Sequence, residues 1–226
     1  MARTPRPIPI LLTALVAFFS ALTAVAVADG QMAHAHGVDT HHHAVVTPKQ
    51  VALHDAMRKL WEDHVTWTRL AIISLTTGAP DANATVGRLL QNQVDIGNAV
   101  KPFYGSAAGD QLTALLKEHI LIAADLIAAV KSGNQAAVAA KQAQWEQNAD
   151  QIAAALNSLN PRFWKLAALK AELHMHLKLT TDEVVARLQG DWAADVVAYD
   201  RVHVHMLHLA DLLSSGIAKQ FPQRLH

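Results

Sequence analysis

Residues 110–134 read DQLTALLKEHILIAADLIAAVKSGN, and this stretch decides the fold. Its apolar residues recur at helical spacing, and on a wheel of about 100° per residue they form one stripe. The stripe consists of Leu112, Leu115, Leu116, Ile122, Leu126 and Val130. His119 lies at the centre of the stripe, and Gly133 with Asn134 ends the segment. The stretch therefore predicts an amphipathic helix that carries one histidine on its buried face.

The same organisation repeats from Pro48 onward, because glycine and proline are concentrated at the boundaries of long apolar-periodic segments. The predicted helical segments are 49–77, 82–101, 110–132, 134–159, 162–189 and 191–220. The order Thr180-Thr181-Asp182-Glu183 resembles a capping box, which predicts that the fifth segment divides there into two helices. We expect an all-α, up-and-down bundle of about six helices over residues 48–222, followed by a tail at 223–226.

Composition excludes several classes of protein. The chain has 226 residues, no cysteine, 14 histidines, and 19 basic against 19 acidic side chains. Without cysteine there is no disulfide framework, cysteine-based zinc site, thiol catalysis or c-type haem attachment. The balanced charge argues against nucleic acid as a partner. No nucleophile triad, phosphate loop or dinucleotide fingerprint is present, so the sequence does not favour an enzyme.

The N-terminus has the pattern of a secretory signal. Arg3 and Arg6 precede an apolar run over 8–27, and Ala26-Val27-Ala28 matches the small-residue cleavage rule. We expect a signal peptide at 1–28 and a secreted or cell-envelope protein with no stable membrane span after cleavage. The alternative is an uncleaved anchor, since about 20 apolar residues can cross a bilayer.

Residues 29–47 have the composition of a flexible, histidine-rich linker. Short histidine tracts of this kind can bind metal ions. The candidate ligands in this linker are His34, His36, His41, His42 and His43.

Four further histidines fall inside the apolar stripes of different helices: His64, His119, His176 and His203. Asn92 and Asn148 hold equivalent positions on the helices between them, and consecutive members of this set of six are 27 to 29 residues apart. In an antiparallel bundle, such spacing predicts one polar layer at mid-height.

Inward imidazoles on facing helices are typical of a metal site in a bundle. Copper is favoured, with zinc or nickel as alternatives, and Met206, three residues after His203, adds a thioether. A di-iron site is not expected because Glu-x-x-His is absent. Two alternatives stay open: a structural His/Asn network in a cell-envelope binding or interaction module without metal, and non-covalent haem b.

Several motifs resemble a family of small, exported, all-helical bacterial proteins. They are Leu53-His54-Asp55, Trp61-Glu62-Asp63-His64, Asn92-Gln93-Val94-Asp95-Ile96-Gly97, Pro102-Phe103-Tyr104-Gly105 and Gln220-Phe221-Pro222. The resemblance covers about residues 49–222 and implies a helical fold and export. Members often carry labels such as glycosyltransferase or acetylglutamate kinase, and this sequence lacks the sheet-based sites that either activity needs. The resemblance implies no catalytic residues.

Overall fold

The computed structural model describes residues 46–226 and confirms an all-α bundle over that part of the chain. The predicted signal peptide and the histidines of the linker lie outside the described residues. The helices are α1 Pro48–Thr77, α2 Ala82–Tyr104, α3 Ser106–Ser132, α4 Gln135–Leu159, α5 Leu166–Gln189 and α6 Trp192–Gln220, with a short 3-10 helix at Pro222–Arg224. Within residues 46–226, no helix is long and apolar enough to cross a membrane.

Local signals set most helix ends. Thr47 caps α1, because its hydroxyl accepts from the Gln50 backbone N–H at 3.2 Å while the Gln50 side chain accepts from the Thr47 backbone N–H at 3.0 Å. The C-terminal ends of α1, α3 and α5 are the glycines at 78, 133 and 190, with φ of 69°, 74° and 72°. This left-handed conformation is strained for residues with a Cβ, so glycine ends each of these helices.

The predicted break at Thr180 is wrong, because α5 runs without interruption from Leu166 to Gln189. Thr180 and Glu183 have side-chain partners in place of helix-end ones, and only the partner of Glu183 lies on another helix. The Thr180 hydroxyl lies 3.4 Å from His176 Nδ1, and the Glu183 carboxylate lies 2.9 Å from Arg69 Nη1 on α1. A capping motif needs unpaired backbone N–H groups, and here the preceding turns of the helix already pair them.

The six helices form a closed ring. Each helix packs on its neighbours in the chain, α6 returns to pack on α1, and α1 also touches α3 and α5 across the centre. The interior is filled by one large apolar cluster drawn from all six helices. Short connections make each helix antiparallel to the next, which places their midpoints at one height.

The closest helix approach joins α2 and α3 near Gly97 and Gly109. A methyl group added at Gly97 would lie 2.6 Å from the Gly109 carbonyl oxygen, closer than a methyl group can approach. Gly87 on the same helix has no atom within 4 Å of the corresponding position. Only the first glycine is therefore required by packing.

We predict opposite effects for alanine at these two positions. Gly97→Ala lowers the free energy of unfolding by about 1–3 kcal/mol because the two backbones must separate. Gly87→Ala raises it by about 0.5–1 kcal/mol because glycine is a poor helix former. Urea denaturation of both variants measures the difference, and equal effects would contradict this view of the α2–α3 contact.

Candidate functional site

Three histidines meet at the centre of the ring. His64 on α1, His119 on α3 and His176 on α5 have exposed fractions of only 2%, 4% and 4%. The ring centroid of His176 lies 5.8 Å from that of His64 and 6.0 Å from that of His119. Alternate helices supply these residues, and the helices between them supply polar partners. We call His64, His119 and His176 the histidine triad.

The best-defined member of the triad is His119. Its Nδ1 atom lies 2.8 Å from Asn148 Oδ1 on α4. The Asn148 amide is oriented by its own Nδ2 group, which donates to the Leu115 carbonyl at 3.1 Å. Because Oδ1 only accepts, the His119 proton is on Nδ1 and the lone pair is on Nε2.

His64 contacts an amide pair on α2. Its Nδ1 atom lies 3.2 Å from Gln93 Nε2, which is also 2.8 Å from the Leu89 carbonyl and 3.1 Å from Asn92 Oδ1. Gln93 has two amide hydrogens for these three neighbours. When both hydrogens go to the two oxygens, His64 can carry its own proton on either nitrogen.

His176 completes the triad, with Nδ1 at 3.4 Å from the Thr180 hydroxyl one turn later on α5. In all three residues the structure therefore places a polar partner on the Nδ1 side of the ring. Each triad member also lines an internal cavity.

A threefold repeat underlies this arrangement. Asn92 Nδ2 donates to the Leu60 carbonyl at 3.0 Å, and Asn148 Nδ2 donates to the Leu115 carbonyl at 3.1 Å. In the third hairpin, His205 Nε2 donates to the Glu172 carbonyl at 2.9 Å. The three acceptor carbonyls belong to the residues four places before the triad histidines. Each helical hairpin thus makes the same bond next to its buried histidine.

His203, which the sequence places in the layer, lies elsewhere. Its side chain is 30% exposed, stacks on Tyr199 at 6.0 Å and lies 3.4 Å from Glu62 Oε1. The inward position expected for it is therefore wrong, because the register of α6 turns His205 toward α5. The repeat contained a signal for this, since His205 follows His176 by the same 29 residues that separate His119 from Asn148.

Met206 is buried, with an exposed fraction of 1%, within the main apolar cluster. Asn92 and Asn148, at 0% and 2%, do lie beside the histidines as the spacing predicts. The linker candidates from His34 to His43 lie outside the described residues.

Burial keeps the triad uncharged. Removal from water lowers the pKa of His64 to about 3 and that of His119 to about 4, and lowers the pKa of His176 well below its usual range. Repulsion between the imidazoles acts in the same direction on His64 and His176. At neutral pH the centre of the bundle therefore holds neutral imidazoles, each with one basic nitrogen.

An apolar cavity borders the triad. The space open to the centre of a water molecule covers about 50 Å³. Apart from the histidines, its walls are mostly aliphatic side chains of α1, α2, α3 and α5, among them Ala71, Ile72, Leu89, Ile120, Ile127 and Val184. Three buried polar atoms of the lining have no hydrogen-bond partner within the described residues, namely Thr68 Oγ1, Trp145 Nε1 and Thr181 Oγ1.

Between residues 46 and 226, no group of three His, Asp or Glu side chains is arranged as a ready-made metal site. The triad comes nearest by ring separation. Metal–nitrogen distances of about 2.0–2.1 Å would bring the ring centroids of a three-histidine site to roughly 5.0–5.5 Å. The observed 5.8 and 6.0 Å separations are wider than this by less than about 1 Å.

A second buried polar group joins α1, α5 and α6. The Arg69 guanidinium binds both Glu183, at 2.9 Å, and Asp195, at 2.7 Å from Nη2, and Arg187 approaches Asp195 at 3.2 Å. Burial raises the pKa of Glu183 to about 7 in spite of the Arg69 contact. Sequence analysis gave no sign of this cluster, because its members come from three helices.

Comparison with protein-family models, curated proteins and solved structures finds no match to this chain. The family resemblance drawn from the sequence motifs therefore stays a prediction.

The triad predicts acid-sensitive stability. An unfolded histidine gains a proton below about pH 6.5, and the folded triad does not until about pH 4 or lower. The free energy of unfolding therefore decreases as pH is lowered through this window. Each buried histidine contributes a slope of up to about 1.4 kcal/mol per pH unit. In His119→Gln, the free energy of unfolding should change less steeply with pH between 4.5 and 6. The expected decrease in slope is about 1.4 kcal/mol per pH unit, which corresponds to one proton.

The half-exposed His203 provides the matched control, because His203→Gln removes no buried imidazole. Denaturant titrations at a series of pH values give the slopes. A His119→Gln slope equal to that of the unmodified protein would contradict the neutral, buried state of this residue.

Glu183 predicts an effect of the opposite sign. Its folded pKa of about 7 lies above the ordinary value of 4.5, so the folded state keeps a proton that the unfolded state releases between these pH values. This lowers stability as pH rises through that window. In Glu183→Gln, the free energy of unfolding should therefore rise more steeply with pH between 5 and 7. The expected increase in slope corresponds to the binding of up to about one proton. An unchanged slope would show that Arg69 keeps Glu183 charged.

Proposed function

We propose that this chain is an exported protein that binds one transition-metal ion, copper in its monovalent state, through Nε2 of His64, His119 and His176. One observation carries the proposal: three buried, neutral imidazoles from three separate helices converge beside an apolar cavity. Neutral imidazole is a common ligand of copper, zinc and nickel.

The polar partners of the triad support ligation. Metal-binding histidines generally use their second ring nitrogen for a hydrogen bond that fixes tautomer and orientation. Asn148 does this for His119, and Leu115 in turn fixes Asn148. At His176, the Thr180 hydroxyl can accept from Nδ1 in the same way. At His64, the neighbour of Nδ1 is Gln93 Nε2, which only donates, so ligation through Nε2 requires Gln93 to give both hydrogens to the Leu89 and Asn92 oxygens.

Charge favours copper(I) within the group of candidate metals. No carboxylate lines the cavity beside the triad, so the protein supplies no negative charge to the ion. The cost of removing an ion from water grows with the square of its charge, which makes a divalent ion roughly four times costlier to bury unneutralised. Copper(I) with three neutral ligands carries a single positive charge. Zinc, nickel and copper(II) are less well suited.

The separations of His176 from His64 and from His119 exceed those expected for ligands of one ion by less than about 1 Å. The empty space beside the rings leaves room for them to move. Haem b receives no support from this site, because a cavity of about 50 Å³ is far smaller than a porphyrin.

Export and metal capture belong to the same proposal. The predicted signal peptide at 1–28 delivers the protein outside the cytoplasm, and the linker histidines supply a weak, accessible first site. The second candidate function is a binding or interaction module without metal, in which the triad and its amides form a structural network. The completed His119–Asn148–Leu115 chain of hydrogen bonds favours that alternative.

Copper(I) binding under anaerobic, reducing conditions distinguishes the two functions. The protein should be purified without a nickel column and titrated in competition with a coloured copper(I) chelator. The expected result is about one tightly held ion per chain, with at least about tenfold weaker binding in His119→Gln. His203→Gln should bind like the unmodified protein.

A further variant replaces the five linker histidines, from His34 to His43, by alanine. It should keep the tight site and lose only weaker binding. Tight binding that disappears in this variant, or that persists in His119→Gln, would overturn the proposal. In that case the triad is a structural network.

A further inference from the structure

We infer that the cavity beside the triad admits a small, uncharged molecule of two or three non-hydrogen atoms to the open position of the bound ion. This inference rests on the proposed copper site and adds the class of ligand that the site takes. It follows from the volume, the lining and the unpaired polar atoms of the cavity.

Volume limits the ligand. An engineered apolar protein cavity of about 150 Å³ holds benzene, which has six carbon atoms. The present cavity measures about 50 Å³, about a third as much. Two or three non-hydrogen atoms fit this space, so sugars, nucleotides, amino acids and aromatic rings are excluded unless the helices move apart.

The lining excludes charged ligands. The surface of the cavity is almost entirely apolar, and the described residues place no Asp, Glu, Lys or Arg in its walls. A charged ligand would lose its hydration without gaining a partner. An uncharged diatomic or triatomic molecule has little hydration to lose.

Two threonine hydroxyls distinguish the cavity from an ordinary packing defect. Thr76 and Thr85, by contrast, donate to carbonyls of their own helices, Thr76 to Ile72 at 2.7 Å and Thr85 to Ala82 at 3.0 Å. Thr68 Oγ1 and Thr181 Oγ1 make no such bond, although both are buried and line the cavity. An unpaired buried hydroxyl costs free energy, and a bound polar atom would satisfy it.

The histidines set the end of the cavity at which the ligand binds. His64, His119 and His176 would hold the ion, and three protein ligands would leave copper(I) able to take one more. The triad forms part of the cavity wall, so an ion held there would border the cavity. The ligand would contact the ion with one atom, and its other end would accept a hydrogen bond from a threonine hydroxyl.

Carbon monoxide and xenon are the probes for the test. Carbon monoxide binds copper(I) and reports through its infrared stretching band, and xenon reports an apolar cavity by NMR whether or not copper is present. The copper content of each sample is measured first, so that loss of the metal site is seen separately. The full chain loaded with copper(I) should give one carbon monoxide band, and xenon should bind in the same cavity.

Filling the cavity provides the decisive comparison. Ala71→Leu places a larger side chain in the cavity wall, and Val184→Ile adds a single methylene if the first variant folds poorly. Each should keep its copper content while binding carbon monoxide at least about tenfold more weakly, a loss of about 1.4 kcal/mol. Ala154→Leu, on the exposed face of α4, is the matched control and should bind both probes normally.

The possible failures differ in meaning. Copper bound without a carbon monoxide band, or a band unaffected by both cavity-filling variants, would overturn this inference and leave the metal site intact. Absence of xenon from the cavity would also overturn it. Absence of tight copper would overturn the proposed function, and this inference with it.

Discussion

Burial of three uncharged imidazoles on the axis of a six-helix ring is the constraint on which the rest of this structure depends. An imidazole removed from water needs partners for its donor and its acceptor, and aliphatic neighbours provide neither. The intervening helices therefore carry Asn92, Gln93 and Asn148 at the height of the histidines. Asn92 and Asn148 in turn donate to backbone carbonyls one turn before His64 and His119, which fixes how far these helices can slide along their neighbours.

The repeat of this bond in three hairpins gives the bundle an internal threefold pattern that the amino-acid composition hides. Two hairpins use asparagine and the third uses His205, so the partner changes while the carbonyl acceptor keeps its place. The third hairpin also differs because it carries the Arg69, Glu183 and Asp195 cluster against α1. This cluster joins α1 to α5 and α6, where the last hairpin of the ring packs on the first helix. A buried ion pair of this kind fixes register more than it adds stability.

Close packing and open space coexist in this molecule in a way that bears on function. At Gly97 and Gly109 the α2 and α3 backbones approach until no Cβ fits between them. At the other side of the triad, small and branched side chains leave a cavity with two unpaired hydroxyls. Well-packed interiors rarely keep unpaired polar atoms unless they have a use. The proposed function is placed at the triad and its cavity because of this contrast.

Most of the fold could be predicted from the sequence, because helix period and breakers act locally. The glycines at 78, 133 and 190 end helices through their own backbone conformation, and Thr47 caps α1 through a residue three positions away. The one local motif that misled was Thr180 to Glu183, where Glu183 pairs with Arg69 on another helix instead of capping a helix start. A local pattern is decisive only when no distant group competes for the same atoms.

The sequence by itself therefore determined the helices, their order and the burial of His64, His119 and His176 near one height. Only the tertiary structure decided that His205, and not His203, makes the repeated hydrogen bond in the third hairpin. It also decided that the His119 proton is on Nδ1, and that Arg69 pairs with Glu183 and Asp195. Each of these depends on the rotation and sliding of one helix against another. That register is set by contacts such as Gly97 with Gly109, between residues distant enough in sequence that no helical period connects them.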